Sequence, residues 1–308
     1  MKNYFGFSLT GKKLLPIWLI YYFLFIVPFI ILMTNMKDIQ PGTKPSVMTF
    51  IFLFLLIIVA FLITFYIVKI IIENFLYKEK PISFNGKFGK FIGLILGGLL
   101  LSIITLGIYM AWFIRNLQRF FINNSVLENE PFTFKGKGSR LFVILLLTLF
   151  IPIIALTLIM TKVLMLNTGH ISTIYMFIQQ AITMIIMIPY LYFAYKWMIN
   201  IDYKNYNIKW ETKFWNSCGK LALEIFLSII TIGIYSPMAM IKLYKYFTER
   251  TIAQSDEIKR KFGFDTNNTN DFLFIWGQIL LTIITLGIYT PWAISKIGKR
   301  ILSRTYLE

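Results

Sequence analysis

The chain has 308 residues, of which 57% are hydrophobic and 15% charged, and its formal net charge is +17. A soluble domain carries closer to ~25% charged residues, so this balance argues against a water-soluble globule. One Cys and one His exclude a disulfide framework or a Cys/His metal site within one chain.

In chain order, Leu14–Met33, Val47–Val68, Leu141–Met160 and Ile171–Tyr195 are uncharged apolar runs. Each reaches the ~20 residues that cross a ~30 Å hydrocarbon core. The first run is longer than the ~7–15-residue core of a secretory signal. No small-residue cleavage site follows it at Met33-Thr34-Asn35, so it reads as a retained span. In this setting the excess of Lys and Arg is expected to flank spans and hold a cytoplasmic face, rather than bind nucleic acid.

The chain also repeats itself. Thr105-Leu-Gly-Ile-Tyr109 recurs as Thr231-Ile-Gly-Ile-Tyr235 and Thr285-Leu-Gly-Ile-Tyr289. The preceding residues match as well: Leu101-Ser-Ile-Ile104, Leu227-Ser-Ile-Ile230 and Leu281-Thr-Ile-Ile284. An aromatic residue opens each unit: Phe84, Trp210 and Phe264. A larger period of about 126 residues relates Phe84 to Trp210, Phe7 to Phe134 and Lys69 to Lys196. The expected organisation is therefore two copies, 1–125 and 126–250, each a pair of long spans followed by one Thr-Leu-Gly-Ile-Tyr unit. Residues 251–308 add a polar cytoplasmic connector and a third unit; the longest polar stretch, Glu249–Asp271, reads as a flexible connector and not a domain.

These Phe-x-x-Gly stretches, apolar helices and Thr-Leu-Gly-Ile-Tyr-x-Pro-Trp-Ala segments followed by basic residues resemble the YjgN-like family of bacterial inner-membrane proteins. Met110-Ala111 depart from the motif by lacking Pro, and Met238 by lacking Trp. The resemblance implies a bacterial cytoplasmic membrane. The family is known as a domain of unknown function, so no catalytic or ligand residues carry over.

Gly107, Gly233 and Gly287 loosen their helices, and Pro237 and Pro291 suit the first turn of a new one, so each unit reads as helix, break, helix. If each unit were a single span, the 31 Lys and Arg would divide almost evenly between the two sides. If each is a hairpin, only Lys37, Lys44 and Lys162 fall outside, as the positive-inside rule prefers. The arms are short: Lys90 to Thr105 is about 22 Å of helix and Lys220 to Thr231 about 16 Å. Arg119, Lys245 and Lys299 follow the break closely, so a turn at the far surface would bury them. Re-entrant or partial hairpins are expected, with both termini, Lys135 and Glu308 inside and Asn167 and His170 outside.

Each first arm carries a polar stripe at i, i+4, i+7: Glu224, Ser228, Thr231; Gln278, Thr282, Thr285; and Gly98, Ser102, Thr105. The stripe reads either as a polar pathway or as small polar residues bonding helix to helix. Glu224 is the sole acid in an apolar arm, facing either a wet cavity or Lys220 one turn earlier. Lys69 and Lys196 could form a basic cavity or snorkel to the interface. Gln179-Gln180 sit mid-span, Gly93-x-x-x-Gly97 permits close packing, and Trp112 and Trp292 read as interface or packing aromatics. No phosphate-binding loop or catalytic constellation is present, so neither an enzyme nor a cofactor is expected.

The expected fold is an all-α polytopic bundle of about ten membrane segments in the lipid bilayer, with three helix-break-helix hairpins. Repeats with interrupted helices point to transport or conduction of a small solute. The basic face favours an anionic one, or anionic lipid head groups. The alternative is a non-transporting scaffold, regulator or lipid-interacting protein.

Overall fold

The computed structural model describes residues 2–37, 46–166 and 173–308. Lys44, Asn167 and His170, expected in external loops, lie outside the described residues, as does the side chain of Lys37.

Pairs of helices alternate with short strands along the chain. Strand β1 (Asn3–Phe7) leads into α1 (Gly11–Tyr21), a π-helical turn (Tyr22–Ile26), α2 (Val27–Lys37) and α3 (Val47–Glu73). Strands β2 (Phe75–Tyr77), β3 (Lys80–Pro81) and β4 (Ser83–Phe84) precede α4 (Phe88–Ile104) and α5 (Met110–Asn123). Strands β5 (Ser125–Leu127) and β6 (Glu130–Phe134) precede α6 (Gly138–Leu145), a second π-helical turn (Leu146–Phe150), α7 (Ile151–Leu166) and α8 (Thr173–Met198). Then come β7 (Asn200–Tyr203), β8 (Tyr206–Trp210), α9 (Phe214–Ile230), α10 (Ser236–Thr248), β9 (Thr251–Gln254) and β10 (Lys259–Phe264). The chain closes with α11 (Asn268–Ile284), α12 (Thr290–Leu302) and β11 (Thr305–Leu307).

The expected all-α chain of about ten membrane segments is corrected on two counts. Eleven short strands, paired antiparallel, are present among the described residues. Four helices there are long and apolar enough to cross a membrane: Gly11–Thr34, Val47–Glu73, Gly138–Val163 and Phe177–Met198. The six helices of the Thr-Leu-Gly-Ile-Tyr units have 13 to 17 residues. They reach only ~20–25 Å. The stretch Glu249–Asp271, expected as a plain connector, contains β9 and β10, paired antiparallel through Arg260 and Ala253.

Proline explains the π-helical turns. Pro28 and Pro152 lack an N–H and would clash with the carbonyl one turn back. The turn before each widens, and Val27 and Ile151 donate to the carbonyls of Tyr22 and Leu146, five residues earlier.

The chain divides into two compact units. The first comprises Met1–Leu100, Phe120–Phe132 and Phe264–Glu308. In it β1 pairs with β2 (Phe5↔Tyr77) and with β11 (Asn3↔Leu307), and β4 pairs with β5. Phe65, Phe84, Phe91 and Phe120 pack edge-on and tilted as one aromatic core. The second comprises Leu101–Arg119 and Thr133–Gly263. There β7, β8, β9 and β10 pair in sequence, over a core of Tyr192, Trp210, Phe214 and Phe247.

One backbone closure recurs at the foot of every helix pair. Ser8 N–H donates to Asn74, Asn85 to Asn124, Lys135 to Asn200, Glu211 to Arg250 and Asp265 to Arg304, all at 2.8–2.9 Å. The aromatic residue just before each donor (Phe7, Phe84, Phe134, Trp210 and Phe264) is buried. The aromatic residues that open the repeats therefore end strands and cover the sheet side of the core.

Candidate functional site

The three Thr-Leu-Gly-Ile-Tyr segments fold into one turn. Leu106, Ile232 and Leu286 are left-handed at φ 50°, followed by Gly107, Gly233 and Gly287 at φ 89°, 83° and 91°. Each Gly N–H donates at 2.7 Å to a carbonyl five residues back, that of Ser102, Ser228 or Thr282. This is a Schellman-type helix end with the unusual choice of an aliphatic residue ahead of the glycine. A left-handed side-chain-bearing residue costs roughly 1–2 kcal/mol. Yet Leu106, Ile232 and Leu286 are 94%, 93% and 79% exposed, so no protein packing offsets that strain.

The stripe hydroxyls are engaged by their own backbone. Thr105, Thr231 and Thr285 donate to Leu101, Leu227 and Leu281 carbonyls, and accept from the N–H of Tyr109, Tyr235 and Tyr289. They therefore fasten the second arm to the end of the first. Ser228 and Thr282 donate to the carbonyls of Glu224 and Gln278. Ser102 is buried. Pro237 and Pro291 stand in the first turns of α10 and α12, where a missing N–H costs nothing.

The turn tyrosine reaches back along its own hairpin. In the second, Tyr235 donates to Glu224 Oε2 at 2.9 Å, and Lys242 Nζ donates to the Tyr235 oxygen at 2.8 Å. Lys220 bonds the other carboxylate oxygen, so Glu224, 1% exposed, sits in a chain Lys220–Glu224–Tyr235–Lys242. In the third hairpin Tyr289 donates to Gln278 Oε1 at 3.0 Å and accepts from Lys296. In the first, Asn116 donates to Tyr109 and Arg115 donates to Asn116. The i,i+4 spacing exposes Lys220; Tyr235 and Lys242 come from beyond the break, and only the recurring seven-residue Tyr-to-Lys interval marks them.

Lys69 and Lys196 stand at different partners. Lys69 faces Glu73 at 3.8 Å, and Lys196 lies 5.9 Å from the centre of the Tyr192 ring. Gln179 and Gln180 are exposed on α8, and open space surrounds Gly93 and Gly97. Trp112 and Trp292 pack. A Cβ on Gly11 would come within 2.4 Å of the Trp292 ring, and one on Gly138 within 2.6 Å of Trp112. Small residues at Gly11 and Gly138 are what admit these indoles.

In the first unit the third turn is tied to the first span. Trp18 Nε1 donates to the Gly287 carbonyl at 3.0 Å, and the Tyr22 hydroxyl to Leu286 at 2.8 Å. These side chains satisfy carbonyls that the helix break leaves without a backbone partner.

Charge pairs stand at the foot of α11 and on β7. Asp271, in the first turn of α11, accepts from Arg300, Arg304, Thr266 and the Asn267 N–H. Burial works against its charge, but the bonds from Arg300 and Thr266 and the two guanidinium charges hold its carboxyl below the usual range. Asp202 is likewise held low against burial by Asn207 and Lys135.

No curated protein and no solved structure matches the chain. A family model does, over residues 79–252, which run from the β2–β3 turn through both hairpins of that stretch to β9. That match spans more than half of the sequence, and the chain belongs to this YjgN-like family, described as "Bacterial protein of unknown function (DUF898)".

Proposed function

We propose that the protein is a multi-pass protein of the bacterial cytoplasmic membrane that works on the lipid phase, its helix-turn-helix hairpins presenting apolar turns to lipid. One observation carries this reading: the turn at Leu286–Gly287 is bonded to Trp18 and Tyr22. Those residues lie about 10 and 16 Å along the Gly11–Thr34 span. The exposed, strained Leu106, Ile232 and Leu286 support it, since hydrocarbon is the environment in which their exposure is favourable. Both termini and the basic second arms are assigned to the cytoplasmic face, where anionic lipid head groups are the natural partners. The two stretches 1–125 and 126–250 are taken as copies, and no catalytic step is assigned.

Solute transport is the second reading, favoured by the part-buried chain Lys220–Glu224–Tyr235–Lys242. Cysteines at Ser228, Thr282 and Ile232 separate the two in native vesicles. The lipid reading expects all three to resist a water-soluble maleimide and Ile232→Cys to react with a lipid-soluble one. Reaction of Ser228→Cys and Thr282→Cys with the water-soluble reagent rejects it in favour of a wet pathway.

A further inference from the structure

Between helices α8 and α9, both in the second unit, runs an open groove of about 520 Å³. Ala181, Ile185 and Ile188 line it from α8, and Ala222, Phe226 and Ile229 from α9; every other lining residue is also apolar. Its size falls in the ~300–1,000 Å³ range of ligand pockets. Pockets of that kind normally add a few convergent polar groups, and this one has none. The lining of α8 belongs to the apolar helix Phe177–Met198, so in a bilayer the groove lies at hydrocarbon depth.

The ends of the groove differ. Toward the strands, Ile188, Tyr192 and Lys196 follow at i, i+4, i+8 on one face of α8. The Lys196 backbone stands about 12 Å along the helix from Ile188, and its ammonium lies 5.9 Å from the centre of the buried Tyr192 ring. On α9 the groove face continues back to Trp215, which is 81% exposed. Exposed Trp at such a level is the residue of a membrane–water interface. Just before it, exposed Lys213 precedes a first turn with no acid and no side-chain cap. The acid of this helix, Glu224, is occupied by Lys220 and Tyr235.

We infer that this groove holds one acyl chain of an anionic phospholipid, with its phosphate beside Lys196, Lys213 and the start of α9. The inference rests on the membrane reading above and deepens it: the wholly apolar lining takes the chain, and the basic, uncapped end selects the head group. Phosphate is matched there by two ammonium groups and by free N–H groups at a helix start.

The test uses full-length protein in mild detergent, incubated with phosphatidylglycerol or phosphatidylcholine, with retained lipid counted by native mass spectrometry. Wild type is expected to keep one phosphatidylglycerol at least threefold more often than phosphatidylcholine. Ala222→Phe, and separately Ala181→Phe, should abolish retention by filling the groove. Lys196→Gln with Lys213→Gln should keep the lipid and lose the preference. Thermal melting checks that each variant is folded, and with two filling variants one folded protein suffices. Equal retention by a folded filling variant overturns the proposal, and so does a wild-type protein indifferent to head group. A dimer that vanishes on filling also overturns it, because a second copy then occupies the groove. Carbonate extraction of the same variants keeps the two readings apart: loss from the membrane fraction counts against membrane placement, whereas altered lipid count in retained protein addresses the groove alone.

Discussion

Tyr235 and Glu224, eleven residues apart and on opposite arms of one hairpin, are joined by a 2.9 Å hydrogen bond that spans the helix break. The equivalent pair, Tyr289 and Gln278, is joined at 3.0 Å, so the bond needs an acceptor and not a charge. The charge of Glu224 answers to Lys220.

Glu224→Gln therefore keeps the tyrosine bond and loses the ion pair. Lys220 retains partial exposure, which discounts the cost from that of a fully buried pair. The expected loss is about 1–2 kcal/mol for Glu224→Gln, and similar for Lys220→Met. The double variant should lose clearly less than the two together, by at least ~0.5 kcal/mol. Melting curves of the four proteins in detergent decide it, and strict additivity would show that the pair is not coupled.

Thr231→Val should cost about 1 kcal/mol, as loss of a capping hydroxyl does, because the Tyr235 N–H loses its acceptor. Thr231→Ser should cost much less. Gly233→Ala, at φ 83°, should cost roughly 1–2 kcal/mol although open space surrounds it. A silent Gly233→Ala would mean that the turn is not left-handed there.

Gly11→Ala drives a methyl into Trp292 and should destabilise by about 1–3 kcal/mol. Trp292→Leu should relieve most of that added cost. The same pairing is expected of Gly138→Ala with Trp112→Leu. Chemical denaturation of single and double variants measures the relief. If the second substitution leaves the cost of the first unchanged, the indoles are not in contact with these helices.

Asp271 gives a pH signature. Its carboxyl is held below the ordinary value, so its ionised form is bound more tightly in the folded chain. The stability it contributes is complete above the unfolded value of about 3.9 and disappears as pH falls through the lower folded value. Asp271→Asn should therefore destabilise at pH 7 and lose its effect in acid. An equal deficit at pH 7 and at pH 2 would refute the charged role.

The four long helices are legible in the sequence because an uncharged run of span length leaves few alternatives. The hairpin breaks are legible because Gly and Pro recur in register. The strands are not. Alternation needs four or more residues to show, whereas β3 and β4 have two each and β2 and β5 three. Their tight turns are made by Lys78-Glu79 and Glu128-Asn129, left-handed residues in place of the usual Asn-Gly, so turn chemistry gives no warning. Near Glu224 the sequence shows Lys220, a neighbour on the same helix. Tyr235 and Lys242 become neighbours only once the chain reverses.

The pairing of β1 with β11 sets the order in which the molecule can be finished. Each helix-pair closure joins residues made within one stretch of synthesis, whereas Asn3 and Leu307 stand 304 positions apart. At ~5–20 residues per second the outer edge of β1 waits roughly 15–60 s for its partner strand. During that time it offers unpaired N–H and C=O groups to any neighbouring nascent chain. The pairs Lys2–Asp265 and Tyr4–Asp265 form in the same late event. Removing residues 305–307 should therefore leave every hairpin able to form while making the newly synthesised protein prone to pair with copies of itself.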